Sequence, residues 1–167
     1  MTICVVIFLF ALGVIAQAQE NQSSSQDKQV RGYWVDPSTG LMWAGKDNGK
    51  DVSWKNAVKY CRDLRLAGFS DWKLAALDEL EAIYDGGANS PGENPPSRWH
   101  GAEPMTFHVK GNLFLTGIQW TSSRRPDDRG KPSGYAWRFD FNEGRPFGGD
   151  EEWFTTNKRA LCVRGSQ

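Results

Sequence analysis

The spacing of apolar and polar positions changes several times along the chain. Val5 to Ala16 is an apolar run broken only by Gly13. It has the length of a signal-peptide core and is too short to span a bilayer comfortably. Ala16-Gln17-Ala18 follows with small residues at the first and third positions, which predicts cleavage before Gln19. No Lys or Arg precedes the run, so positive charge there comes from the terminal amine or from residues upstream of the recorded start. Residues 1–18 are read as a signal peptide, and the Gln/Ser-rich segment 19–29 as a polar leader that cannot build a core. Residues 30–165 form the expected domain.

Within that domain, Tyr33-Trp34-Val35 and Leu41-Met42-Trp43 flank Asp36-Pro37-Ser38-Thr39-Gly40, which predicts a hairpin. From Ser53 the period becomes helical. Trp54, Ala57, Val58, Cys61 and Leu64 share one face, with Ser53 as the expected cap and Gly68 as the expected stop. A second helix is predicted over Leu77–Tyr84, with Asp78 and Glu79 in its first turn favouring the positive dipole end. Gly86–Pro104 reads as a long loop rich in Gly, Pro, Asn and Ser. Strands follow: one or two within Asn112–Thr121, a closing strand over Arg159–Arg164, and a half-buried strand between them. In that middle strand Tyr135, Trp137, Phe139 and Phe141 alternate with polar or small residues. Helices followed by strands predict an α+β domain.

Composition narrows the function. Twenty Lys and Arg balance twenty Asp and Glu, which argues against nonspecific nucleic-acid binding and against a polybasic membrane surface. No stable membrane insertion is expected once the signal is removed. The chain has three cysteines. Cys4 leaves with the signal, and Cys61 and Cys162 remain. An even pair in an exported chain suggests one disulfide, with two buried free thiols as the alternative. Two Cys and two scattered His lack zinc-ligand spacing.

Several of these segments together carry a family signature. They are Trp34 through Trp43, Ser53-Trp54 with Ala57 leading to Tyr60-Cys61, Leu66 through Leu74, Asp78-Glu79-Leu80, Trp120-Thr121-Ser122-Ser123, and Cys162-Val163-Arg164. In this order the chain resembles the DUF1566 family, which includes the C-terminal domain of the Legionella collagen-like adhesin. The resemblance implies a C-type-lectin-like domain with two helices, a long loop region and small antiparallel sheets. It also implies a bond from the helix cysteine Cys61 to Cys162 on the last strand. The adhesin domain is associated with sulfated glycosaminoglycans. One departure matters here: Trp72-Lys73-Leu74-Ala75-Ala76 lacks the proline and hydroxyl that usually open the second helix. The Glu-Pro-Asn or Gln-Pro-Asp motifs of calcium lectins are absent too, so a calcium-bridged sugar site is not expected.

Neither catalytic nor cofactor chemistry emerges. His100 and His108 have no spaced nucleophile, and Ser122-Ser123 has no Gly-x-Ser-x-Gly elbow. Asp127, Asp128, Asp140, Asp150, Glu151 and Glu152 are the acids available to calcium, and solvated loop charge explains them as well. The densest basic set is Arg124, Arg125, Arg129, Lys131 and Arg138. Guanidinium forks suit sulfate and carboxylate, and Trp120 or Trp137 offers a stacking surface. Since late-strand excursions commonly form the ligand face in the resembled fold, Trp120, Arg124, Arg125 and Arg138 are the expected ligand residues. The expectation is a secreted, periplasmic or surface-located binding module for anionic polysaccharide. Two other classes stay open: a structural protein-interaction component of a bacterial envelope complex, and a hydrolase-like enzyme with an unrecognised site.

Overall fold

The computed structural model describes residues 32–93 and 104–165. The expected signal, the leader and His100 lie outside the described residues. The fold begins at Tyr33. Its strands are β1 (Tyr33–Val35), β2 (Met42–Ala44), β3 (Lys73–Leu74), β4 (Ser90–Glu93), β5 (Pro104–Phe107), β6 (Ile118–Pro126), β7 (Pro132–Asp140), β8 (Arg145–Glu151), β9 (Lys158–Arg159) and β10 (Cys162–Arg164). Two helices, α1 (Trp54–Asp63) and α2 (Leu77–Ala82), stand among them. Among the described residues the class is α+β, with two α-helices and three small sheets ordered β1-β2-β10-β3, β4-β5 and β8-β7-β6-β9. All pairings are antiparallel except β6 with β9.

The opening hairpin forms because Asp36 organises its own turn. Its buried carboxylate accepts from the Ser38 N–H at 3.0 Å, the Ser38 hydroxyl at 2.8 Å and the Thr39 hydroxyl at 2.7 Å. Gly40 then donates to the Asp36 carbonyl at 2.8 Å. Burial opposes ionisation, but the hydrogen bonds from Ser38 and Thr39 and the charge of Lys110 outweigh it and hold this carboxyl below the usual range. A folded-state value depressed below the unfolded one stabilises the fold above about pH 4, and that contribution is lost as pH falls through the folded value. Asp36→Asn is therefore expected to cost about 1–2 kcal/mol near neutrality and to flatten the acid limb of stability against pH. Urea midpoints measured from pH 7 downward check this; parallel acid limbs in parent and variant would contradict it.

Helix α1 buries Ala57 and Cys61 and rests Trp54, Val58 and Leu64 against the same cluster, the face its periodicity predicts. Its ends differ from expectation. Ser53 has the extended backbone of a cap, yet its hydroxyl makes no capping bond; the Trp54 N–H instead donates to the Glu152 carbonyl at 2.9 Å. The helix stops at Asp63, before Gly68. Arg65 ends it by donating from Nη1 to the Arg62 and Leu64 carbonyls at 3.3 and 3.0 Å. Gly68, at φ +82°, serves the turn between Leu66 and Phe69.

Helix α2 is capped from another element. Ala76 has no hydroxyl to cap it, and the Leu77 N–H donates to Ser123 Oγ on β6 at 3.1 Å. The Glu79 carboxylate accepts from the Ala76 N–H at 2.8 Å. Regular helix ends at Ala82, short of the expected Tyr84, which bridges to Val109. The long loop is also shorter than expected, because Ser90–Glu93 pairs with Pro104–Phe107. Ser-Pro-Gly-Glu shows no apolar alternation, so its strand is set by the partner. Arg159–Arg164 divides into β9 and β10, which belong to different sheets.

Two side-chain clusters form the core. One joins α2 to the central strands through Trp43, Leu80, Phe107, Phe139, Phe141 and Leu161. The other surrounds Cys61–Cys162, whose Cα atoms are 5.3 Å apart across 101 residues of chain. This disulfide ties α1 to the last strand, as the resemblance implied. The same strand is held at Arg164, whose fork donates to both Asp71 carboxylate oxygens at 2.7 and 3.1 Å and lies 3.7 Å from the Phe69 ring centre. That hydrogen bonding holds the Asp71 carboxyl below the usual carboxylate range.

The alternation expected on β7 holds only in part. The ladder to β8 shifts between Ala136 and Arg138, and Ala136 and Phe139 are the residues buried, while Tyr135 and Trp137 are half-buried. The extra residue lies on β8, where Asp150 to Phe147 spans three steps against two on β7. Phe141 stays inward, packed edge to face on Phe139 with centroids 4.8 Å apart. Gly144, at φ +65°, closes the next turn; a Cβ there would lie 2.2 Å from Tyr84 Cζ, so the position excludes a side chain on two counts.

Candidate functional site

The expected ligand residues all fall on the long β6–β7 hairpin, but the hairpin does not present them together. Trp120 is fully buried. It packs in the disulfide cluster and donates from Nε1 to the Val52 carbonyl at 2.8 Å. Its ring cannot cover a sugar, and this expectation is corrected: the Trp-Thr-Ser-Ser run is inward at its first and third-from-last positions. Thr121 is buried as well, and Ser123 caps α2.

Arg124 and Arg125 pair with Ala136 and Tyr135 on β7. Adjacent strand residues point to opposite faces, so the two guanidinium groups cannot grip one anion side by side. Arg124 is engaged: it forms an ion pair with Glu152 and lies 5.1 Å from the Trp54 ring centre. Arg125 is exposed. Arg138 is half-buried farther along β7, opposite Trp120, with its guanidinium 5.0 Å from the Phe147 ring. Arg145 approaches the same ring at 4.4 Å. Trp137 is half-buried and packs over Gly148, where a Cβ would lie 2.6 Å from the indole.

At the hairpin tip, Arg125, Arg129 and Lys131 are exposed and form no ion pair among the described residues. Asp127 shapes this tip, its Oδ1 accepting from the Arg129 and Lys131 N–H groups at 2.9 and 2.8 Å. That commitment accounts for one of the acids considered for calcium. Asp140 is likewise occupied by the Asn142 N–H at 2.8 Å, and Glu152 by Arg124. The side chains of Asp150 and Glu151 lie outside the described residues. Among the described residues, no group of three or more His, Cys, Asp or Glu side chains is placed to hold a metal ion. His108 Nδ1 lies 2.8 Å from the Ala88 carbonyl and its ring meets Tyr84 edge-on.

The ordered motifs of this two-helix domain, with its α1-to-β10 disulfide, are shared with a known protein family. The model for the Lcl C-terminal domain matches residues 32–164. The chain belongs to this family. As an Lcl C-terminal domain it is an adhesin-related module. No curated protein matches it. Among the described residues no helix is long and apolar enough to cross a membrane.

Sequence reasoning missed two features of this Lcl C-terminal domain. One is Asp47, buried, whose carboxylate accepts from Gly49 N, Thr116 N, Thr116 Oγ1 and Gln119 Nε2 at 2.7–2.9 Å; it fixes the chain entering β6. The other is Trp153, 71% exposed. Adjacent Trp153-Phe154 in a turn-rich segment was the available signal, because two consecutive aromatics cannot both face one core.

Proposed function

We propose that the chain is an exported, non-enzymatic binding module that engages anionic polysaccharide at the bacterial cell surface. The observation that carries this reading is the group Arg125, Arg129 and Lys131, exposed at the end of a nine-residue hairpin strand pair without ion partners among the described residues. Membership in an adhesin-related family supports it. Cations on a projecting ribbon reach sulfate or carboxylate groups along a polymer with little desolvation cost, and the contact is screened over about 8 Å at physiological ionic strength.

Heparin titrated onto the purified mature chain tests the reading. Binding is expected at low salt and should weaken steeply as salt rises. Replacing Arg125, Arg129 and Lys131 together by Ala should reduce affinity about tenfold, or about 1.4 kcal/mol, with no change in thermal midpoint. Equal binding by parent and triple variant would remove the tip from the site. Arg124 is left in place, because its loss would strand the Glu152 carboxylate.

A further inference from the structure

Beside the hairpin, a groove of about 520 Å³ is lined by Ser53, Lys55, Gly134, Glu152, Trp153 and Thr155. A second depression of about 590 Å³ shares Ser53 and Thr155 with it and continues past Lys50 and Asn56. The two form one trough along the start of α1. Its volume is that of a ligand site, while its shape suits a length of polymer. In the first groove the lining is polar except for one large flat ring, while the second adds Val52, Tyr60 and Leu64. Trp153 is exposed, and Phe154 braces it edge-on with centroids 6.3 Å apart. Phe154 is itself held beneath the Lys158 ammonium at 5.0 Å.

We infer that this trough is a pyranose-binding subsite for a carboxylated or sulfated polysaccharide, with the Trp153 indole stacking on one sugar ring and Lys55 meeting its acid group. The inference rests on the polysaccharide reading above and extends it to a different set of residues. An exposed indole with hydroxyl, amide and ammonium groups around it matches a sugar, which has an apolar face and a polar rim. An isolated pair of aromatics is far smaller than the apolar core of a protein interface. Ser53 fits the role because its hydroxyl is not spent on capping α1. The three acids along the trough are each paired: Glu152 with Arg124, Asp51 with Arg159 and Asp63 with Lys59. Lys55 is exposed and forms no ion pair among the described residues.

The trough also adjoins the hairpin backbone. Gly134 lines it and accepts from the Glu152 N–H at 3.1 Å, while the neighbouring Ser133 hydroxyl donates to the Arg125 carbonyl at 2.6 Å. Arg124, not Arg125, shares the trough's face, and it is already paired with Glu152.

A heparin hexasaccharide serves as the probe, with affinity measured by calorimetry in about 0.15 M salt and at higher salt, and Trp accessibility measured by acrylamide quenching. Trp153→Ala should weaken binding at least tenfold while leaving its salt dependence unchanged, and Trp153→Phe, which keeps a flat ring, should stay within about threefold of the parent. Lys55→Ala should weaken binding and make it less sensitive to salt. The parent's most quenchable Trp should become protected by the sugar, and Trp153→Ala should lack that protectable component. Circular dichroism of the variants should match the parent, as the ring lies outside the core. If the parent binds and Trp153→Ala binds equally well, the subsite is overturned while the polysaccharide reading stands. If the parent binds neither the hexasaccharide nor full-length heparin, both fall.

Discussion

Replacing Cys61 and Cys162 together by Ala is expected to lower the stability of the domain by about 4–5 kcal/mol. The bond closes 101 residues of chain, nearly the whole fold, so its loss frees an unfolded ensemble that was tied from α1 to β10. Native packing should change little. Both cysteines are buried among Ala44, Ala57, Ala160 and the rings of Trp72 and Trp120, and alanine leaves no polar group stranded there. The cost thus acts mainly through the unfolded state. A domain of this size has a total stability of only about 5–15 kcal/mol, so the double variant should melt on the order of 10–20 °C lower. Its urea transition should also be steeper, because the untied chain exposes more surface. Reduction of the parent should move the midpoint in the same direction. A loss below about 1 kcal/mol in the double-Ala variant would mean that the rest of the fold already restrains the unfolded chain.

How much of this architecture was legible depends on how local its causes are. The Asp36 turn could be read because the residues that bond it, Ser38 and Thr39, are two and three positions away. The inward face of α1 could be read because apolar spacing alone defines it. What failed was anything decided by a distant partner. β4 is a strand only because β5 lies beside it, and α2 is capped by a serine 46 positions later. The ladder irregularity beside Trp137 comes from an extra residue on β8, which no alternation within β7 reveals. The candidate site suffered most. Trp120 and the arginines after it are close in sequence, but strand geometry sends Arg124 and Arg125 apart and the core takes Trp120. Trp153 and Lys55 share a groove although 98 positions separate them, a juxtaposition that no window of sequence contains.

The role of Trp120 can be separated by experiment from that of a ligand residue. Trp120→Ala is expected to destabilise the domain by about 3–5 kcal/mol, as for other fully buried large aromatics. It empties the centre of the disulfide cluster and leaves the Val52 carbonyl without the indole N–H that donates to it at 2.8 Å. Trp120→Leu fills more of that space and should cost less, while still removing any flat ring that a sugar could use. Under cool conditions where the Leu variant is folded, its affinity for heparin should therefore remain within about twofold of the parent. Chemical denaturation gives the first quantity and calorimetric titration the second. A Leu variant as stable as the parent but tenfold weaker in binding would return Trp120 to the ligand face. The location of the ring carries a further consequence. Trp120 and the Cys61–Cys162 bond belong to one cluster, so their effects on the native state should not simply add. Each change alone removes a large part of the stability available, and Trp120→Ala combined with the double-Cys replacement should leave no cooperative folding transition at 25 °C.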